Sequence, residues 1–123
     1  MQLNTARVFV KDLAAAKAFY AHALALPLKA DGEPHGYCVF QSGSAELVVE
    51  SVPAEAPDEE QILVGRFTGL SFTVADIQST CAQLRARGVS FSGDPERQAW
   101  GGTLATFRDP SGNELQIVQQ PSA

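Results

Sequence analysis

Hydrophobic residues alternate with polar ones over much of this chain, and the alternation twice gives way to the spacing of a helix. Val8 and Val10, Leu47 and Val49, Leu70, Phe72 and Val74, and Leu115 and Ile117 each occupy every second position. That is the period of a strand with one face in a core. Ala16, Phe19, Tyr20, Ala23 and Leu24 follow a helical stripe instead, opening after Asp12, a capping residue, and ending before Pro27. Ile77, Cys81 and Leu84 do the same after Asp76, and Gly88 stops them.

Each helix follows a strand, and each is followed by three strand candidates. These lie at about 27–31, 36–41 and 45–52, then at about 88–92, 102–108 and 113–119. The order is βαβββ, twice. "FVKDL" at 9–13 returns as "TVADI" at 73–77, and "FQSGSAEL" at 40–47 is echoed by "FRDPSGNEL" at 107–115. The chain is therefore expected to be one domain, 1–123, with a first module at about 1–52, a connector at about 53–66 and a second module at about 67–120. "VPAEAPDEEQ" at 52–61 mixes proline with acidic residues and lacks apolar periodicity, which predicts a solvated linker. In "DPSGN" at 109–113, Pro presets its φ, Asp and Asn bond their neighbouring backbone, and Gly tolerates positive φ.

The second face of the strands carries the chemistry. Thr5, Arg7, Phe9, Glu46, Val48, Glu50, Gly69, Ser71, Thr73, Glu114, Gln116 and Val118 share it. Such a mixture suits the wall of a cavity, and equally the solvated back of an open antiparallel sheet.

Composition narrows the classes. A 123-residue chain with 45% hydrophobic and 19% charged residues has the make-up of an ordinary globular domain, and no apolar run nears the ~20 residues of a membrane span. The start, "MQLNTARVFV", lacks the pattern of a secretory signal, so a cytoplasmic location is expected. Formal net charge is -5 and "RAR" at 85–87 is the one basic cluster, which argues against nucleic acid as a partner. Cys38 and Cys81 are far apart, with no zinc-type spacing, and read as reduced buried thiols.

"VKDLAAAKAFYAHAL", "VADI" and the closing "WGGTLATFRDPSGNELQIVQ" together resemble the vicinal oxygen chelate superfamily, which includes glyoxalase I, extradiol dioxygenases and bleomycin resistance proteins. The resemblance covers both modules. It implies an α+β fold in which two tandem βαβββ modules form a curved mixed β-sheet cup with helices outside, and usually a homodimer. It also implies four positions from which family enzymes hold a divalent metal. Here these fall on Thr5, on Glu50 or Val48, on Gly69 and on Gln116.

A glycine donates no side chain, and neutral oxygens hold a hard or borderline cation less well than carboxylates or imidazoles. His22, in the first helix, and His35, in the "DGEPHGY" turn, lie outside the ligand strands. No metal or other cofactor is therefore expected, and Gln116 reads as a hydrogen-bonding residue of a ligand site. The ligand-binding set is Arg7, Phe9, Glu50, Ser71, Thr73, Trp100 and Gln116, and the partner is a small organic molecule.

Each member also has a plainer role. Arg7, read as buried, could grip a carboxylate or phosphate, or pair internally with Glu50 or Glu114. Glu50 could act as a general base, offset Arg7 or attract a cation. Trp100, between Gln98-Ala99 and Gly101-Gly102, could stack on a planar ligand as part of a lip or pack on a strand edge. Phe9, Tyr37 and Phe107 could line the site, with Phe107 better placed in the core. Cys38 lies three residues from His35, a spacing that does not ensure contact across a turn. The functional expectation is metal-free binding or sequestration of a small molecule, as in the bleomycin-resistance branch. The alternatives are a metal-dependent lyase, isomerase or dioxygenase, and a non-catalytic scaffold.

Overall fold

The computed structural model describes residues 1–122. Strand β1 (Thr5–Val10) leads into helix α1 (Leu13–Ala18), capped by the Asp12 carboxylate, which accepts from the Ala15 amide at 3.0 Å. The helix does not stay α-helical to Leu24 as its apolar stripe predicts. From Phe19 to Ala23 it widens into a π-helical turn, where the Leu24 amide donates to the Phe19 carbonyl at 3.0 Å. Ala25 ends it with φ 56°, a left-handed conformation usually left to glycine.

Strands β2 (Leu28–Gly32), β3 (Tyr37–Ser42) and β4 (Ala45–Ser51) follow. They form a four-stranded sheet in the order β1-β4-β3-β2, with β1 parallel to β4 and the other pairs antiparallel. The predicted βαβββ order is thus found, with boundaries moved by a residue at most sites.

The connector departs from expectation. Asp58–Gln61 form a short helix, α2, and the loop is folded back on itself. The Gln61 amide donates to the carbonyls of Pro53, Ala54 and Ala56 at 2.8, 3.0 and 3.2 Å, while its oxygen accepts from Lys11 Nζ at 2.5 Å. One side chain supplies the organisation that a periodic apolar pattern would otherwise announce.

The second module comprises β5 (Phe67–Thr73), α3 (Ile77–Ala86), β6 (Ser90–Phe91), β7 (Glu96–Arg97), β8 (Thr103–Arg108) and β9 (Glu114–Gln119). Its sheet runs β5-β9-β8-β6, and β7 pairs separately with β8. The single strand expected at 88–92 is reduced to two residues, and the two-residue β7 is an addition. Asp76 caps α3 as predicted, accepting from the Ser79 amide at 3.1 Å, and the Ile77 amide is held by Gln119 Oε1 at 2.8 Å.

The chain forms two compact units. The first comprises Met1–Arg66 together with Pro110–Asn113, and the second is the remainder of the described chain. The core of the first contains Val8, Val10, Ala16, Tyr20, Phe40, Leu47 and Val49, with the Tyr20 and Phe40 rings 5.8 Å apart. That of the second contains Ile77, Cys81, Leu84, Ala105, Phe107, Leu115 and Ile117, with Phe91 against Phe107 at 5.7 Å. Leu70, Phe72 and Val74, expected in this core, are only half-buried, whereas Val118, expected on the lining face, is buried. Among the described residues, no helix is long and apolar enough to cross a membrane.

Candidate functional site

The residues singled out in the sequence fall on two sheet faces, one in each unit, except Trp100, which lies in the turn between β7 and β8. On the first, strand register sets Thr5 beside Glu46, Arg7 beside Val48 and Phe9 beside Glu50. Arg7 does not arrive buried. Its side chain is 55% exposed, and Nη2 donates to Glu50 Oε1 at 2.8 Å, while the guanidinium carbon lies 5.0 Å from the centre of the Phe9 ring. The cause lies in the sheet order: β1 is an edge strand, so a long side chain on it can reach diagonally to β4 and keep its head in water. Of the two internal pairings open to Arg7, the structure selects Glu50; Glu114 pairs with Arg108 at 3.5 Å.

Glu50 and Val48, the two alternatives for one family ligand position, lie on the same face at different heights. Glu50 and Phe9 also line a small solvent-open hollow of about 50 Å³, completed by Ser51, Val52, Pro53, Glu60 and Leu63. Tyr37 stands beside Glu50 in the register, with its ring over Gly32, where a Cβ would meet it at 2.3 Å. That close approach explains a glycine in the strand.

In the second unit, Gln116 has Ser71 on one side and Thr106 on the other, and its amide donates to Thr106 Oγ1 at 3.1 Å. Thr73 lies beside Val118. Gly69 is more than a residue without a side chain: it has φ +75° and lies where β5 slips register against β9. This is a β-bulge. Thr68 satisfies it, donating through Oγ1 to the Glu114 carbonyl at 2.8 Å and accepting from the Leu70 amide at 3.1 Å. Trp100 is 53% exposed, and a Cβ on Gly102 would fall 2.0 Å from its ring, so the indole packs directly against the glycine backbone.

The donor chemistry at the four family positions does not fit a catalytic metal. Thr5 is exposed and its hydroxyl meets Asn4 Oδ1 at 3.3 Å, Gly69 offers nothing, Gln116 is engaged by Thr106, and the Glu50 carboxylate is taken up in an exposed pair with Arg7. A single paired carboxylate on the first face, and a single amide on the second, are each a poor site for a divalent ion. Among the described residues, no group of three or more His, Cys, Asp or Glu could hold one elsewhere.

Cys38 is fully buried, its Sγ 3.8 Å from Asp31 Oδ1. Burial first, and the Asp31 carboxylate second, push its thiol pKa up. Both effects oppose a thiolate nucleophile. Asp31 in turn is held below the ordinary carboxylate range, chiefly by its hydrogen bond from Lys17 Nζ at 2.5 Å.

Three polar residues that matter here were not anticipated: Gln61, Thr106 and Asn113. Asn113 is 1% exposed, accepts through Oδ1 from the Gly65 and Arg66 amides at 2.9 and 3.4 Å, and donates through Nδ2 to the Phe9 carbonyl at 2.7 Å. Local turn chemistry predicted bonds to its neighbours. The available signal was the turn's position in the repeat, where "SGS" at 42–44 has no such asparagine.

Comparison with known proteins gives the context. The model of the Glyoxalase/Bleomycin resistance protein/Dioxygenase superfamily matches residues 2–117. The uncharacterized protein YraH of Bacillus subtilis (strain 168) is 30% identical over 127 residues, covering 97% of this chain and 98% of that protein. TnmS3, an antibiotic binding protein from Streptomyces sp. CB03234, superposes with a TM-score of 0.74 at 28% identity, covering 99% of this chain and 97% of that one. Lactoylglutathione lyase from Agrobacterium tumefaciens superposes with a TM-score of 0.78 over 96% of this chain and 92% of its own, but at 20% identity, a likeness of fold alone. By the match across both modules, this chain belongs to the Glyoxalase/Bleomycin resistance protein/Dioxygenase superfamily.

Proposed function

We propose that this chain binds and sequesters a small organic molecule on its polar sheet faces without a resident metal, and that it works in the cytoplasm as a homodimer. The observation that carries this reading is the set Thr5, Glu50 or Val48, Gly69 and Gln116 at the family's ligand positions, where the one carboxylate is already paired with Arg7. What remains on those faces, with Trp100 from the turn before β8, recognises organic groups well. Phe9 and Trp100 offer rings, the Arg7–Glu50 pair offers both signs of charge, and Ser71, Thr73 and Gln116 offer neutral donors and acceptors. The likeness to an antibiotic binding protein over nearly the whole chain supports the same reading.

A thermal-shift screen against metabolites and antibiotics tests it. A ligand at about a hundred times its Kd should stabilise the chain by ~2.7 kcal/mol. Either Phe9→Ala, for a ligand on the first unit's face, or Gln116→Ala, for one on the second unit's face, should weaken that binding while leaving the free protein folded. Silence across a broad library, or a binder indifferent to both substitutions, would count against the proposal.

A further inference from the structure

The turn at 110–113 belongs to the first unit, although the strands on either side of it belong to the second. Within that unit it joins two segments far apart in sequence. Asn113 holds the Phe9 carbonyl, at the end of β1, and the Gly65 and Arg66 amides, at the end of the connector. Ser111 adds a bond to the same strand end, its Oγ accepting from the Lys11 amide at 2.9 Å. Phe9 and Val64 form an isolated parallel bridge between these segments.

Gly65, at φ +78°, lets the connector pass close to the turn, where an added Cβ would sit 3.2 Å from the Ser111 carbonyl oxygen. The other end of the connector is fixed by Gln61 on three carbonyls and on Lys11. The hollow beside Glu50 is walled by Phe9 from the strand and by Glu60 and Leu63 from the connector. These are the two segments that Asn113 ties together.

We propose that Asn113 is the positioning residue of the first unit's polar face: it locks the Phe9 end of β1 to the connector and so fixes the hollow that Phe9, Glu50, Glu60 and Leu63 line. The inference rests on the proposed ligand-binding role of that face, but its mechanics belong to the free protein. A primary amide is suited to the task because it accepts from two amides and donates to a carbonyl at once. Its isostere aspartate keeps the acceptor and can donate to Phe9 only when protonated.

Hydrogen exchange on the full chain without ligand tests this. Asn113→Ala should lower protection at Gly65 and Arg66 by about ten- to hundredfold, the cost of a lost buried partner, with segment 53–64 following and β3 and β4 unchanged. Asn113→Asp should lose protection at neutral pH and regain it, after correction for intrinsic exchange, as acid protonates the new carboxyl. Burying a charge would itself be relieved by acid, so it is recovery concentrated at Gly65, Arg66 and the Phe9 end of β1, and not recovery across the unit, that marks the lost bonds.

Unchanged protection at Gly65 and Arg66, a uniform fall across the whole chain, or an aspartate variant indifferent to pH would each overturn the proposal. If the alanine variant does not fold, the pH series on Asn113→Asp decides alone. A screen that finds no ligand would sink the proposed function yet leave these exchange results standing, so the two failures are distinguishable.

Discussion

The two units share a βαβββ order, with the two-residue β7 added in the second, and have diverged in how they treat their first strand. In the first, Val8 and Val10 on β1 are fully covered, and the opposite face carries an ion pair and an aromatic ring. In the second, Leu70, Phe72 and Val74 on β5 remain half-exposed, and the opposite face carries hydroxyls, an amide and a glycine bulge. Beyond α1 the first unit continues through a π-helical turn that adds Tyr20 to the core, while α3 packs on β8 and β9 in the second. A duplicated framework can therefore keep its hydrogen-bonding plan while its two polar faces take up different chemistry.

The largest effect expected from this contrast is on stability. Phe40→Ala should cost about 3–5 kcal/mol in urea unfolding, because the ring is wholly buried against Tyr20. Phe72→Ala should cost roughly half as much, since part of its ring already meets water. Equal losses would mean that β5 is covered in the working assembly, and the contrast would then belong to the isolated chain alone.

A smaller effect separates the two first strands at the family ligand positions. Gly69→Ala should destabilise by about 1–2 kcal/mol through its positive φ, while Thr5→Ala, on an exposed and regular stretch of β1, should change stability by no more than ~0.5 kcal/mol. If Gly69→Ala is neutral in the same unfolding assay, the bulge does not need its glycine.

Smallest of all is the Arg7–Glu50 pair. A double-mutant cycle with Arg7→Met and Glu50→Gln should return a coupling of about 0–1 kcal/mol that fades with added salt, as for other solvent-exposed pairs. A larger, salt-insensitive coupling would show that the pair is desolvated.

Much of this architecture was legible from period alone. Val8, Val10, Leu47, Val49, Leu115 and Ile117 face the core as their alternation requires, and Asp12 and Asp76 cap the helices they precede. Elements held by single side chains or by only two residues were not legible. The α2 helix depends on Gln61 and the short strand β7 on the length of β8, and neither leaves an apolar pattern.

Arg7 was misplaced because alternation gives the face of a side chain and not its reach along an edge strand. Asn113 was read as a local turn residue because its partners, Phe9 and Gly65, lie 104 and 48 positions away. The face shared by Gln116, Ser71 and Thr73 was correctly grouped by period, but Thr106 escaped notice because its role depends on strand order.

The central claim is that this framework lacks the donors to retain a divalent ion and offers its polar faces to organic molecules instead. Protein purified without chelator, incubated with iron(II), nickel, zinc and manganese and then desalted, should carry far less than one metal per chain by elemental analysis, whether Glu50 is present or replaced by Gln. One equivalent retained by the native chain and lost on Glu50→Gln or Gln116→Ala would contradict the account.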